Sequence, residues 1–173
     1  MAVFTKLLKE DIENFISEYS IGNLDSFEEI VDGIENSNFK IFCNNQPYIL
    51  TIFEKRVTEQ ELPFFINLKN FLNKNNFKCP KAISDKNGKI LKRIKNKTAV
   101  IISFLEGKSI EKPNLAMCKE VGKMIANLHN LTLKFDEKRP NSLGLKDWKN
   151  IYKKCLNNKS KELSIQKFIV SSI

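Results

Sequence analysis

The sequence predicts an α+β chain: a five-stranded antiparallel lobe with one internal helix, followed by a helical lobe. Three observations carry this. Short apolar runs rich in Ile, Phe and Tyr are joined by links of hairpin length. A strong helix start, Thr58-Glu59-Gln60-Glu61, stands between the third and fourth runs. After Pro113 the apolar residues fall at helical spacing. A length of 173 residues suits one domain or two small lobes.

Element by element, Thr5–Tyr19 is helical, because Leu8, Ile12, Phe15, Ile16 and Tyr19 make one stripe. Ile21-Gly22-Asn23 ends it. Leu24–Val31, Phe39–Cys43 and Tyr48–Phe53 read as a meander, linked by Asp32-Gly33 and by Asn44-Asn45-Gln46-Pro47. The helix capped by Thr58 and Glu61 follows, with Leu62, Phe65, Ile66, Lys69 and Leu72 on one face and Lys69 free to snorkel. Ile83–Leu91 turns at Asn87-Gly88, the best short hairpin signal in the chain. Thr98–Leu105 reads as a buried strand, broken by Glu106-Gly107. Pro113 suits the first helical position, and Leu115, Cys118, Val121, Ile125, Leu128 and His129 form the next stripe. A short helix near Asp147–Leu156 surrounds Trp148, expected to anchor a core or a lobe. Domains are expected at 1–105 and 106–173.

Composition narrows the function classes. The net charge of +9, from 29 basic and 20 acidic residues, raises nucleic acid as a partner. The lysines are spread along the whole chain, however, so a solvated surface is the expectation. A basic nucleic-acid-binding module remains the rival from another class. No apolar run reaches the roughly 18 residues of a membrane span. The N-terminus lacks a secretory apolar core, so a cytoplasmic location is expected. Cys43, Cys79, Cys118 and Cys155 form no C-x-x-C pair, and His129 is the single histidine. They are expected as reduced, mostly buried thiols rather than zinc ligands. A lone histidine at the end of a helical stripe reads as a packing or capping residue.

The segments V-D-G-I-E-N-S-N-F (31–39), Y-I-L-T-I-F-E-K-R-V (48–57), L-P-F-F (62–65), C-P (79–80), S-F-L-E-G (103–107), L-H-N (128–130) and N-S-L-G-L (141–145) follow one another in a telling order. Together they resemble the protein-kinase-like aminoglycoside phosphotransferase fold. They are most like the bacterial homoserine kinases of that superfamily, over nearly the whole stretch from Met1 to Leu156. The resemblance implies a five-stranded nucleotide-binding lobe over 1–105 and the start of a helical lobe from 106. It implies ATP and Mg²⁺ as cofactors and L-homoserine as the acceptor, with no nucleic acid and no membrane. Other small alcohols, choline or aminoglycosides are the alternative acceptors.

The same resemblance distributes roles. The turn and strand start carrying Gly33, Glu35, Asn36, Ser37 and Asn38 would lie over the phosphates, with Asn36 and Ser37 offering side-chain donors. Ser103, Phe104 and Leu105 would receive the adenine through their backbone. Ile49, Ile83 and Ile101 would supply apolar walls. The family's phosphate-binding lysine position falls on Thr51, and its glutamate partner falls near Phe65. Lys55 lies roughly 13 Å further along the strand. Phosphates are therefore expected to be anchored by loop amides and the metal. The family's H-x-D-x-x-x-x-N catalytic loop is not in the 173 residues. Catalytic base and metal ligands are thus expected beyond Ile173, and the chain reads as an N-terminal fragment whose helical lobe lacks its partners.

Overall fold

The computed structural model describes residues 4–32, 35–54, 57–141 and 143–157. Two compact units emerge, Met1–Glu137 and Lys138–Ile173. The first holds a single six-stranded antiparallel sheet of β1 (Leu24–Ile30), β2 (Asn36–Cys43), β3 (Gln46–Phe53), β4 (Ala82–Ile83), β5 (Lys92–Ile94) and β6 (Lys97–Ser103). The order is β1-β2-β3-β6-β4, with β5 also paired to β6.

The sheet has six strands rather than five, and the segment around Asn87-Gly88 is not a hairpin. Ala82 and Ile83 pair with Ile102 and Ile101, whereas Lys92–Ile94 pair with Ala99–Lys97. Both short strands flank β6 and neither pairs with the other. Asn87-Gly88 makes a local turn in which the Gly88 N–H donates to the Asp85 carbonyl at 3.0 Å. The hairpin turn proper is Lys95-Asn96, both at positive φ (47° and 62°). The β2–β3 turn has the same form, with Asn44 at 48° and Asn45 at 61°. It leaves Gln46 and Pro47 inside β3. Asparagine tolerates this left-handed backbone because its short amide can bond locally.

The core lies on one face of the sheet. Helix α1 (Lys9–Ile16) is shorter than its stripe suggests, since the Thr5 N–H bonds to Ser37, Leu7 is buried in the core ahead of the helix, and Leu8 caps it, 69% exposed. Ile12, Phe15 and Ile16 of α1, with Tyr19 just beyond, pack on Phe39, Ile41 and Cys43 of β2, Leu50 and Ile52 of β3, and Ala99 and Ile101 of β6. Helix α2 (Leu62–Lys74) lies beside β4. Leu62, Ile66 and Leu72 of α2 are buried, and Val100 of β6 is buried on the sheet face away from α1. A 3₁₀ turn, Glu59–Glu61, precedes α2, and the Glu61 carboxylate accepts from the Thr58 N–H at 3.1 Å. Lys69 is half-buried, and desolvation lowers its pKa.

Helix α3 (Leu115–Thr132) begins two residues after the expected first helical position, Pro113. Asn114, not Pro113, closes its first turn, the Asn114 side chain accepting from the Met117 N–H at 2.9 Å. No side chain of α3 is buried. The chain then returns to α2: Phe135 stacks against Phe64 and Phe71 at 5.7 and 5.3 Å, and Asn67 donates to Glu137 at 2.8 Å. That return is why the first unit extends to Glu137. In the second unit, a 3₁₀ turn (Leu145–Asp147) leads into α4 (Trp148–Asn157). Of the two roles expected for Trp148, the core anchor is not met: it is half exposed, and its indole N–H donates to the Leu143 carbonyl at 3.1 Å. Of the described cysteines, Cys43 is buried, Cys79 intermediate and Cys118 exposed, so burial is not their general condition.

Candidate nucleotide site

Strand alternation divides the expected site residues between two faces. Along β2 the even positions, Asn36, Asn38, Lys40 and Phe42, are half-buried, and the odd ones, Ser37 to Cys43, are fully buried. Register carries this division across the sheet. Asn38 lies opposite Thr51, and Thr51 opposite Val100; Lys40 lies opposite Ile49, and Ile49 opposite Ile102. The face away from α1 therefore presents two parallel rows, Asn38–Thr51–Val100 and Lys40–Ile49–Ile102. Apart from the buried Val100 the residues of this face are half-buried, and it carries Asn36, Asn38, Ile49 and Thr51 together.

The Thr51 hydroxyl donates to the Asn38 Oδ1 at 2.8 Å. Thr51 is the residue on which the family's lysine position is expected to fall, and the pair offers amide and hydroxyl dipoles rather than a charge. Lys40 was not singled out from the sequence. Its ammonium stands 3.5 Å from Glu28 and lies over the rings of Phe42 and Phe104, at 4.9 and 4.7 Å from their centroids. Alternation with Asn38 was the signal that could have found it. Phe104 thus joins the row of Ile49 and Ile102 through Lys40. The ladder ends at Tyr48↔Ser103, and Phe104 and Leu105 continue outside the sheet. The Ser103 hydroxyl accepts from the Lys81 N–H at 2.9 Å, which fixes the end of β6 against the segment leading into β4.

Three expectations change. Ile83 and Ile101 lie on the α1 face within or against the core, so Ile102, one residue on, is the neighbour of Ile49. Ser37 also faces α1 and is fully buried. Its hydroxyl donates to the Glu54 Oε1 at 2.5 Å and accepts from the N–H groups of Phe4 and Thr5, both at 2.9 Å. One hydroxyl has one hydrogen and two lone pairs, so this side chain has no donor left for a phosphate. Gly33 and Lys55 lie outside the described residues. Glu35 stands half-buried just before β2.

Around Ser37 a second polar cluster forms. Glu54 Oε1 also accepts from the Thr5 hydroxyl at 2.7 Å, and Lys97 pairs with Glu54 Oε2 while donating to Thr5 Oγ1 at 2.7 Å. Burial alone would raise the Glu54 pKa. Hydrogen bonds from Lys97, Ser37 and Thr5 outweigh it and hold the carboxyl below its usual range. Among the described residues, no three of His, Cys, Asp or Glu stand together as metal ligands, and no helix is long and apolar enough to cross a membrane. His129 lies exposed in the last turn of α3.

Residues 26–163 match the phosphotransferase enzyme family. Curated relatives include the homoserine kinases of Agrobacterium fabrum, 40% identical over 154 residues, and of Bartonella henselae, 40% identical over 155. The alignments cover 89% and 90% of this chain but 48% and 49% of the relatives. The chain therefore spans about half the length of these proteins. Among solved structures, a spectinomycin phosphotransferase in complex with ADP and spectinomycin matches with a TM-score of 0.61 at 10% identity. That match covers 89% of this chain and 48% of that one, and it shows the shared fold. With four-fifths of its length inside the family match and the half-open sheet face in place, the chain belongs to the phosphotransferase enzyme family.

Proposed function

We propose that this chain provides the nucleotide-binding lobe of a homoserine kinase. Such an enzyme transfers the γ-phosphoryl group of ATP to the side-chain hydroxyl of L-homoserine, giving O-phospho-L-homoserine for threonine synthesis in the cytoplasm. The observation that carries the reading is the half-open face with Asn38, Thr51, Ile49 and Ile102 in two adjacent rows, in a chain about 40% identical to proteins named homoserine kinase.

The rows suit the two ends of a nucleotide. Ile49 and Ile102 offer an apolar floor for a purine, next to the backbone groups of Phe104 and Leu105 just past the ladder. Asn36, Asn38 and Thr51 lie on the same face toward the start of β2, where the backbone amides and amide side chains suit phosphate oxygens. Residues 1–105 form the nucleotide lobe in this reading, and 106–173 begin the helical lobe. ATP brings the phosphoryl group and Mg²⁺ would neutralise its charge. The described residues supply no metal cluster, so their contribution is to bind and orient the nucleotide.

Two measurements test this. The chain should bind Mg·ATP saturably, and Ile49→Glu, which places a carboxylate on the purine floor, should abolish binding. In a coupled ADP-release assay, this chain joined to the second half of the Agrobacterium relative should turn over L-homoserine in preference to choline and spectinomycin. Preference for either of the other two acceptors would replace homoserine as the substrate.

A further inference from the structure

Four segments distant in sequence converge on one buried carboxylate. Thr5 comes from the N-terminal arm, Ser37 from the start of β2, Glu54 from the end of β3 and Lys97 from the start of β6. The Glu54 side chain is 4% exposed and accepts bonds on both oxygens. The Ser37 hydroxyl is saturated, two of its bonds coming from the backbone of Phe4 and Thr5. Such a network is specific in geometry, because each unmet bond would leave a buried polar group unsatisfied.

We propose that Thr5, Ser37 and Glu54 are positioning residues for nucleotide binding, the N-terminal arm acting as a latch on the start of β2. This rests on the reading that the face of Asn36, Asn38 and Thr51 receives the phosphates. Successive residues of a strand point to opposite faces. Holding Ser37 on the α1 face therefore fixes the direction in which Asn36 and Asn38 are presented on the other, and Asn38 in turn receives the Thr51 hydroxyl. Ser37 thus acts on the nucleotide through its neighbours. The arm matters because it supplies two N–H groups and a hydroxyl that no residue of the sheet replaces. The other ion network of this unit, Lys92 with the half-exposed Glu18 and the buried Asp85, joins the segment after α1 to β5 and has no link to β2 among the described residues. It is the internal control.

The test measures Mg·ATP affinity and amide hydrogen exchange on the 173-residue chain, at a temperature where circular dichroism shows each variant folded. Thr5→Val and Ser37→Ala should each raise the Kd about tenfold and speed exchange at Asn36–Asn38. Thr5→Ser, which keeps the hydroxyl, should stay within twofold of the wild type, and so should Lys92→Met. Wild-type affinity in both Thr5→Val and Ser37→Ala would overturn the proposal. An equal loss in Lys92→Met would also overturn it, by showing a general stability effect. If the wild-type chain binds no nucleotide, the phosphate reading fails and exchange alone decides the latch. Faster exchange at Asn36–Asn38 in Thr5→Val but not in Thr5→Ser then supports it, and unchanged exchange overturns it.

Discussion

Helices α1 and α3 carry the same kind of apolar stripe in the sequence and meet opposite fates. In α1, Ile12, Phe15 and Ile16 are at most 5% exposed, pressed onto β2, β3 and β6. In α3, Leu115, Val121 and Ile125 are 87%, 49% and 46% exposed, and the helix is held by its Asn114 cap and by the return of Phe135 to α2. Periodicity says that a helix has an apolar side. It does not say what lies against that side. Stability should accordingly be concentrated in the sheet with α1, and local opening in α3 should cost little.

The largest difference is expected between core truncations in the two regions. Leu50→Ala, at a fully buried site of β3, should cost about 2–5 kcal/mol in urea unfolding. Ile125→Ala should fall within about 0.5 kcal/mol of the wild type. Equal losses would mean that α3 is packed as firmly as α1.

A smaller effect is expected from acid, confined to the sheet unit. Glu54 has a folded pKa below its ordinary 4.5, so its contribution is complete above that value. It should fade as pH falls through 4.5 and below, because the unfolded chain then binds the proton more readily. Glu54→Gln should flatten this part of the stability–pH curve while lowering stability at neutral pH. An unchanged slope would show that the Glu54 cluster is not formed in solution.

Local changes in α3 should be smaller again and should act on helicity alone. Asn114→Ala removes the cap and should cost about 1 kcal/mol of helix stability. A Cβ at Gly122 meets nothing within 4 Å, so Gly122→Ala should add up to about 1 kcal/mol. Far-ultraviolet circular dichroism should fall with the first and rise with the second, leaving the unfolding midpoint of the sheet nearly fixed. A large shift of that midpoint would tie α3 to the sheet more closely than its exposure implies.

The candidate site was legible in part. The order of segments around Val31–Phe39, Tyr48–Val57 and Ser103–Gly107 singled out Asn36, Asn38, Ile49 and Thr51, and strand pairing brings these four onto one face. Ser37 was placed in the group by proximity in sequence, but adjacency in a strand means opposite faces, and it belongs to the latch. Ile101 was misread for the same reason, a shift of one residue exchanging core for open face. Lys40 passed as a polar member of an alternating strand; its neighbours Glu28 and Phe104 are distant in sequence, and only pairing brings them together.

Local chemistry by itself determined the helix start at Thr58, the turn at Asn44-Asn45 and the alternation of β2, because these depend on bonds and torsions within a few residues. Tertiary structure decided which stripe is covered, that β4 and β5 both lie along β6 rather than forming one hairpin, and that Thr5, Ser37, Glu54 and Lys97 meet at one carboxylate. These outcomes depend on contacts between residues up to 92 positions apart. Such contacts are chosen by which buried surfaces and hydrogen bonds can be satisfied at the same time, a property of the folded sheet and not of any segment of it.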